Sequence, residues 1–194
     1  MIQLSNTGKY LLKKQVLALT GKFRIYDQYG TQILFSEQKM FALREDIRVY
    51  SDETKSREIL LIKARNIIDF SAAYDVIDAT TGTKVGVLRR KGWKSMIRDE
   101  WEVLDPLENF IATLSEDSIG LALLRRFLTG ALVPQNYDVL GKDGIRVVDL
   151  KQRFTIVGYE LDIDLTENRQ NLIDPRIGIA MGILLAAIEG KQSN

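Results

Sequence analysis

The sequence contains no cysteine and no histidine among its 194 residues. Without cysteine there are no disulfides, no thiolate nucleophiles and none of the usual structural zinc sites. Without histidine, the Ser-His-Asp and Cys-His catalytic arrangements, histidine-ligated metals and a histidine pH switch are excluded as well. Any chemistry would depend on carboxylates, Lys, Tyr or an oxygen-ligated metal. We therefore predict that the protein is not an enzyme, uses no cofactor and binds no metal.

Proline is scarce as well, with three residues in the whole chain. Each proline lies where a secondary-structure element would begin or end, so no proline-rich or glycine-rich linker divides the sequence. The chain length suits one domain, and we predict a single domain over residues 1–194. The first fourteen residues lack the long apolar stretch of a signal peptide, and Ile2 follows Met1 where a myristoylation motif needs glycine. These absences predict a cytoplasmic protein.

The net charge is +1, but the charges are unevenly distributed along the chain. Residues 1–100 carry 18 Lys and Arg against 12 Asp and Glu, whereas residues 101–194 carry 9 against 14. One interpretation is a basic surface that faces an anionic partner. The other is a fold that mixes both halves on one surface. The nearly neutral total argues against nucleic acid as the partner.

A weak repeat predicts four β-hairpins. Each copy has an aromatic residue, then Val or Ile two positions later, then Asp or Gly, a short turn and a second apolar run. Strand alternation places the aromatic residue and the Val or Ile on one face, while Asp, Asn and Gly suit the turn. Further strands are predicted at residues 40–43, 47–50, 59–64 and 153–165, the last with a bulge near Gly158. The four copies begin at Phe23, Tyr74, Trp101 and Tyr137.

Two segments have the composition of helices. Residues 117–128 are apolar over much of their circumference, as in a helix packed on one side. The second predicted helix, at about 175–189, has Asp174 as N-cap, Pro175 at its first position and Gly190 as C-cap. Its twelve central residues are all Ile, Gly, Ala, Met or Leu. They span roughly 18 Å against a bilayer core of about 30 Å, so we predict a buried core helix and no transmembrane span. Gly178 and Gly182 would keep the helix slim.

Four segments give the chain a family resemblance: residues 23–27, 89–95, 99–105 and 174–180. With the run of hairpins before one apolar C-terminal helix, they resemble the tubby C-terminal-like superfamily. The similarity extends from about Leu17 to Lys191 and is greatest to bacterial LURP-one-related and phospholipid scramblase-related proteins. It implies a mainly β fold, a closed antiparallel β-barrel of about twelve strands around a buried hydrophobic C-terminal helix.

The chain departs from eukaryotic scramblases in two respects. It lacks their Pro-rich N-terminal region and their cysteines. The segment before the C-terminal helix, where scramblases carry a carboxylate-rich calcium site, does hold Asp162, Asp164 and Glu167. It lacks the glycine of a recognised calcium loop, so we predict no calcium site. Lipid translocation is disfavoured because the apolar helix is too short and is needed inside the barrel.

The predicted binding site is the basic stretch with Arg89, Arg90, Lys91, Lys94 and Arg98. Arginine forks match phosphate geometry, and lysines add point charge. Trp93 within it could lie at a membrane interface or pack into the core of a solvated loop. Glu100 and Glu102 nearby are expected on the outer face, where carboxylates make poor general acids, with Trp101 directed inward.

The resemblance implies phosphoinositide binding through basic barrel residues, which agrees with this choice of site. The sequence thus predicts a non-enzymatic binding module that recognises anionic phospholipid or phosphoinositide headgroups as a peripheral membrane protein. The alternative is a scaffold for protein–protein interaction, in which the barrel is a stable platform. The two differ in whether the basic stretch tolerates charge reversal.

Overall fold

The computed structural model describes residues 4–17, 20–39, 46–65, 72–91, 100–116, 134–155 and 158–189. Within these ranges the chain forms twelve strands and one helix. The elements are β1 (Lys9–Leu17), β2 (Thr20–Tyr26), β3 (Gln32–Lys39), β4 (Ile47–Tyr50), β5 (Glu58–Ala64), β6 (Ala73–Asp78), β7 (Lys84–Arg90), β8 (Glu100–Leu104), β9 (Phe110–Glu116), β10 (Asn136–Gly141), β11 (Arg146–Arg153), β12 (Tyr159–Asp164) and α1 (Pro175–Glu189). The predicted strand at 40–43, the predicted helix at 117–128 and Gly190 lie outside the described residues.

The twelve strands form one closed barrel. Each strand pairs antiparallel with its neighbours in the sequence, and β1 also pairs with β12. Among the twelve described strands, this closure leaves no edge exposed for pairing with another chain. The predicted fold, a closed twelve-strand antiparallel barrel with one C-terminal helix, is confirmed.

The repeat forms the predicted hairpins β2–β3, β6–β7, β8–β9 and β10–β11. In every copy the aromatic residue and the following Val or Ile are buried. The strand register shifts by a bulge directly after that Val or Ile in each hairpin. The β4–β5 hairpin has the same bulge, between Val49 and Tyr50, although Ile47 replaces the aromatic residue. The structure therefore contains a fifth copy of the repeat.

The predicted strand at 153–165 is confirmed only from Tyr159 to Asp164, which form β12, and its first half is wrong. β11 ends at Arg153 and β12 begins at Tyr159, and Arg153 pairs with Glu160 across the hairpin. Phe154, which prolonged the apolar alternation of the sequence, is 59% exposed. Gly158 lies in the connection with a φ of 85°, and so does not form a bulge within a strand.

β1 was not predicted from the sequence. It lies between β2 and β12, and the barrel would remain open without it. Tyr10, Leu12 and Lys14 project from β1 into the interior, where all three are buried. The side chains of Lys9 and Lys13 lie on the outer wall, in ion pairs with residues of β12.

The helix α1 occupies the interior of the barrel, as predicted. Its residues from Ile177 to Ala186 are buried. Asp174 is the N-cap, since its Oδ1 accepts a hydrogen bond of 2.9 Å from the backbone N–H of Arg176. A Cβ at Gly182 would lie 2.6 Å from Cδ1 of Ile163, so a larger residue there would require the Ile163 side chain to move. Among the described residues, no helix is long and apolar enough to cross a membrane.

Candidate functional site

The interior of the barrel is filled by side chains. Ile179 and Ile183 of α1 are completely buried, and they belong to one hydrophobic core with inward residues of the strands. The same core includes the aromatic residue that begins each of the four predicted hairpins. For the residues that the structure describes, the surfaces open to a ligand are therefore the outer wall and the ends of the barrel.

The structure describes three of the five predicted site residues. Arg89, Arg90 and Lys91 lie at the end of β7, whereas Lys94 and Arg98 fall in 92–99, outside the described residues. Arg89 is on the outer face, where its Nε and Nη2 donate hydrogen bonds of 2.8 and 2.5 Å to Glu102 Oε2. Lys91 Nζ donates to Glu100. Both outward cations are thus held by carboxylates of β8, on the outer face where these carboxylates were expected.

Arg90 lies on the inner face of β7. It is directly opposite Trp101, which is 2% exposed, and cross-strand partners point to the same face of a sheet. The Arg90 Nε atom is buried, and Tyr74 lies close to its charge. Burial raises the pKa of Tyr74, although the positive charge of Arg90 acts to lower it. Strand alternation therefore splits the predicted basic stretch between the two faces of the wall.

The uneven charge of the sequence becomes two arcs of the barrel. The described residues up to Lys91 carry 15 Lys and Arg against 8 Asp and Glu, and those from Glu100 onward carry 6 against 14. The arcs meet at two seams, β1–β12 and β7–β8, and ion pairs cross both. The fold thus mixes the two halves on one surface, as the second interpretation of the charges expects. The pairs that cross the seams include Lys9–Asp164, Lys13–Glu160, Arg89–Glu102 and Lys91–Glu100.

The three carboxylates before α1 are each engaged by a cation. Asp162 accepts two hydrogen bonds from Arg153, at 2.8 and 2.7 Å. Asp164 lies 2.8 Å from Lys9 Nζ, and Glu167 lies 3.3 Å from the guanidinium of Arg146. Over the described ranges, the side chains form no cluster of ligands suited to a metal ion.

A groove on the outer wall was missed by the sequence analysis. It lies over β1 and has a volume of about 500 Å³. A smaller hollow of about 270 Å³ adjoins it and shares Lys9 and Asp162. The alternation of Lys9, Leu11 and Lys13 is the signal that could have found it, once β1 was recognised as a strand. The groove is lined by Lys9, Tyr10, Leu11, Lys13, Tyr26, Asp27, Gln28, Gly30, Arg153 and Asp162.

Exposed apolar side chains lie in the turns at one end of the barrel. Tyr29 and Leu107 are both 83% exposed, and Ile145 is 63% exposed. Leu172, in the segment that leads into α1, lies close to the β10–β11 turn, because a Cβ on Gly141 would be 3.2 Å from its Cδ2. These residues form a partly apolar rim at the end of the barrel where α1 begins.

Comparison with known protein families gives a match over most of the chain. A model of the LURP-one-related family matches residues 32–185, from the first residue of β3 to within α1. No curated protein matches the sequence. The match confirms the LURP-one-related part of the resemblance, and β1 and β2 precede the matched residues.

Proposed function

Because the chain belongs to the LURP-one-related family, we propose that its barrel is a non-enzymatic binding module for anionic phospholipid or phosphoinositide headgroups at a membrane surface. The observation behind the proposal is the pair of outward cations, Arg89 at the end of β7 and Lys91 directly after it. The chain continues directly from them to Lys94 and Arg98. A basic cluster of this kind gains about 1 kcal/mol per residue near an anionic lipid surface.

The ion pairs of Arg89 and Lys91 are compatible with exchange for a phosphate. Their side chains are 48% and 32% exposed. Surface ion pairs contribute only about 0–1 kcal/mol, so displacing Glu100 and Glu102 costs little. The guanidinium of Arg89 can then donate two parallel hydrogen bonds to phosphate oxygens.

Co-sedimentation with vesicles tests the proposal. Neutral and anionic vesicles are compared at low and high salt, with and without calcium. The double variant Arg89→Gln/Lys91→Gln removes two cations without placing new charges beside Glu100 and Glu102. The matched control Lys22→Gln/Lys63→Gln removes two cations from β2 and β5, neither of which has an ion pair within the described part of the chain.

The expected result is salt-sensitive binding to anionic vesicles, weakened by the Arg89/Lys91 variant and retained by the control. Equal loss in both variants would indicate general attraction of a basic arc, without a headgroup site. No binding under any condition would contradict the proposal.

A second candidate function is a scaffold for protein–protein interaction. It is favoured by the apolar rim, because exposed apolar residues gathered on one surface often mark a site of association. On this alternative, Leu107→Ser/Ile145→Ser impairs the function in cells, whereas Arg89→Gln/Lys91→Gln is tolerated. The opposite pattern would favour headgroup binding.

A further inference from the structure

The groove over β1 lies on the opposite side of the barrel from Arg89. In the ring of twelve strands, β1 and β7 are six strands apart in either direction. A volume of about 500 Å³ falls in the range of about 300–1,000 Å³ that is typical of small-molecule sites. The groove is therefore a candidate site distinct from the basic stretch on β7.

The floor and one wall of the groove are apolar. Leu11 projects outward at the middle of β1, where it is opposite Tyr26 of β2 and Asp162 of β12. Lys13 Nζ lies 5.8 Å from the centroid of the Tyr26 ring, so the ammonium and the aromatic wall are adjacent. An apolar or aromatic group of a ligand could pack on Leu11 and beside Tyr26.

Three cations line the same groove and remain accessible. The side chains of Lys9, Lys13 and Arg153 are 58%, 45% and 50% exposed. Arg153 binds Asp162 through Nε and Nη2, whereas its Nη1 is 3.9 Å from Glu160, beyond hydrogen-bond distance. Nη1 is thus a fixed donor available to a ligand, and the two lysines provide mobile ones.

Each cation of the groove is in a surface ion pair, Lys9 with Asp164, Lys13 with Glu160 and Arg153 with Asp162. Exposed pairs of this kind contribute little to stability, so a ligand can exchange for the carboxylates. Asp162 accepts the hydrogen bonds of Arg153. Asp27 stabilises the β2–β3 turn, because its Oδ1 accepts hydrogen bonds of 2.9 Å from the backbone N–H groups of Tyr29 and Thr31. The charged residues of the lining are three cations and two carboxylates. The lining thus combines three cations in exchangeable ion pairs with an apolar floor.

We propose that this groove binds a phosphate monoester that carries an apolar or aromatic group. The phosphate oxygens accept hydrogen bonds from Lys9, Lys13 and Nη1 of Arg153, since charge-assisted bonds of this type are the strong ones. The organic group covers Leu11 and contacts Tyr26. Neither part alone explains the lining, because a bare anion would leave the apolar floor in water.

Titration followed by NMR tests the site, with phenyl phosphate and inorganic phosphate as probes. We expect saturable shifts of the backbone amides of Leu11, Tyr26 and Arg153, and a lower Kd for phenyl phosphate than for inorganic phosphate. Lys13→Gln and Arg153→Gln should each raise the Kd for phenyl phosphate about tenfold. Both residues are in exposed ion pairs, so their loss should cost little stability.

Two further variants determine whether the groove itself binds the anion. Asp162→Asn removes the competing carboxylate and should lower the Kd for phenyl phosphate. Arg89→Gln, on the opposite side of the barrel, should leave the Kd unchanged. The experiments therefore distinguish a protein that does not bind headgroups through Arg89 from one that does not bind phenyl phosphate in the groove.

The source of the phosphate is tested with vesicles that contain phosphatidic acid, itself a phosphate monoester. If Arg153→Gln weakens vesicle binding as well as phenyl phosphate binding, the ligand can be a lipid headgroup. If it weakens phenyl phosphate binding alone, the ligand is a soluble organic phosphate. The proposal is overturned if the three amides show no saturable shift, or if the Kd is the same in Lys13→Gln, Arg153→Gln and the unchanged protein.

Discussion

The Nζ atom of Lys14 donates a hydrogen bond of 2.7 Å to the backbone carbonyl of Ala186, joining β1 to the end of α1. Lys14 is 5% exposed, and its Nζ lies 5.7 Å from the centroid of the Phe23 ring. The last four carbonyls of a helix have no partner within the helix and form the negative end of its dipole. A buried ammonium from the barrel wall therefore satisfies the end of the central helix.

Replacing Lys14 should destabilise the protein more than replacing its neighbour. Lys14→Met keeps most of the buried aliphatic stem but removes the charged hydrogen bond, at an expected cost of about 2 kcal/mol in the free energy of unfolding. Lys13→Met removes an exposed ion pair with Glu160 and should cost about 0–1 kcal/mol. Urea denaturation of both variants measures the difference. Equal losses would mean that the bond to Ala186 adds nothing to stability.

Two glycines should respond to alanine in opposite directions. A Cβ at Gly86 would lie 2.7 Å from the carbonyl oxygen of Leu104 and 2.9 Å from Cδ1 of Ile177. Gly86→Ala must displace the backbone of β8 and should cost roughly 1–3 kcal/mol. The nearest atom to a Cβ at Gly178 is Cδ2 of Leu165, at 3.4 Å, an ordinary contact.

For Gly178→Ala we therefore expect no loss of stability, because alanine favours the helix over glycine by up to about 1 kcal/mol. Thermal unfolding of the two variants tests both expectations. A Gly86→Ala protein as stable as the unchanged chain would show that β7 is not in close contact with β8 and α1 there.

Glu108 should titrate at unusually low pH. The pKa of Glu108 is lowered from 4.5 to about 2, first because Arg65 donates hydrogen bonds to its carboxylate and then because Lys84 does so. The donors Arg65 Nη2 and Lys84 Nζ are 2.7 and 3.1 Å from Oε1. Because its pKa is lower in the folded state, Glu108 contributes stability above pH 4.5 that is lost as the pH falls towards 2.

Arg65→Met should raise the pKa of Glu108 towards 4.5, since the main cause of the shift is removed. A pH titration of the side-chain carboxyl resonance by NMR measures it. Arg48→Met, which removes the partner of Glu58 instead, is the control and should leave Glu108 unchanged. A normal titration of Glu108 in the unchanged protein would contradict the ion-pair network.

Local sequence patterns were sufficient to predict the hairpins but not to predict β1 or the start of β12, and these two strands close the barrel. The period of two and the turn residues are both local signals, so β2–β3 and the three later copies could be predicted. β1 was missed because Lys13 and Lys14 interrupt its apolar alternation, although Lys14 is buried against α1. The strand predicted at 153–165 began too early, because apolar Phe154 continued the alternation through a chain reversal.

The candidate sites were predicted less well than the fold. The basic stretch was predicted from charges that are consecutive in the sequence. In a strand, consecutive side chains point to opposite faces, so Arg90 faces inward whereas Arg89 and Lys91 face outward. The groove combines Leu11 and Arg153, which are far apart in the sequence and meet only because β12 lies between β1 and β11. No local pattern carries that information.

The sequence by itself determined the chemistry that is excluded, the hairpins and the apolar helix from Pro175, because these depend on residue type and on short-range periodicity. The tertiary structure decided which strands are neighbours, which cations face inward and which carboxylates hold the others. Closure of the barrel through β1 sets all three, since it brings Lys14 to the end of α1 and Lys9 beside Asp164. Long-range pairing of this kind is fixed by the packing of the whole chain around one helix.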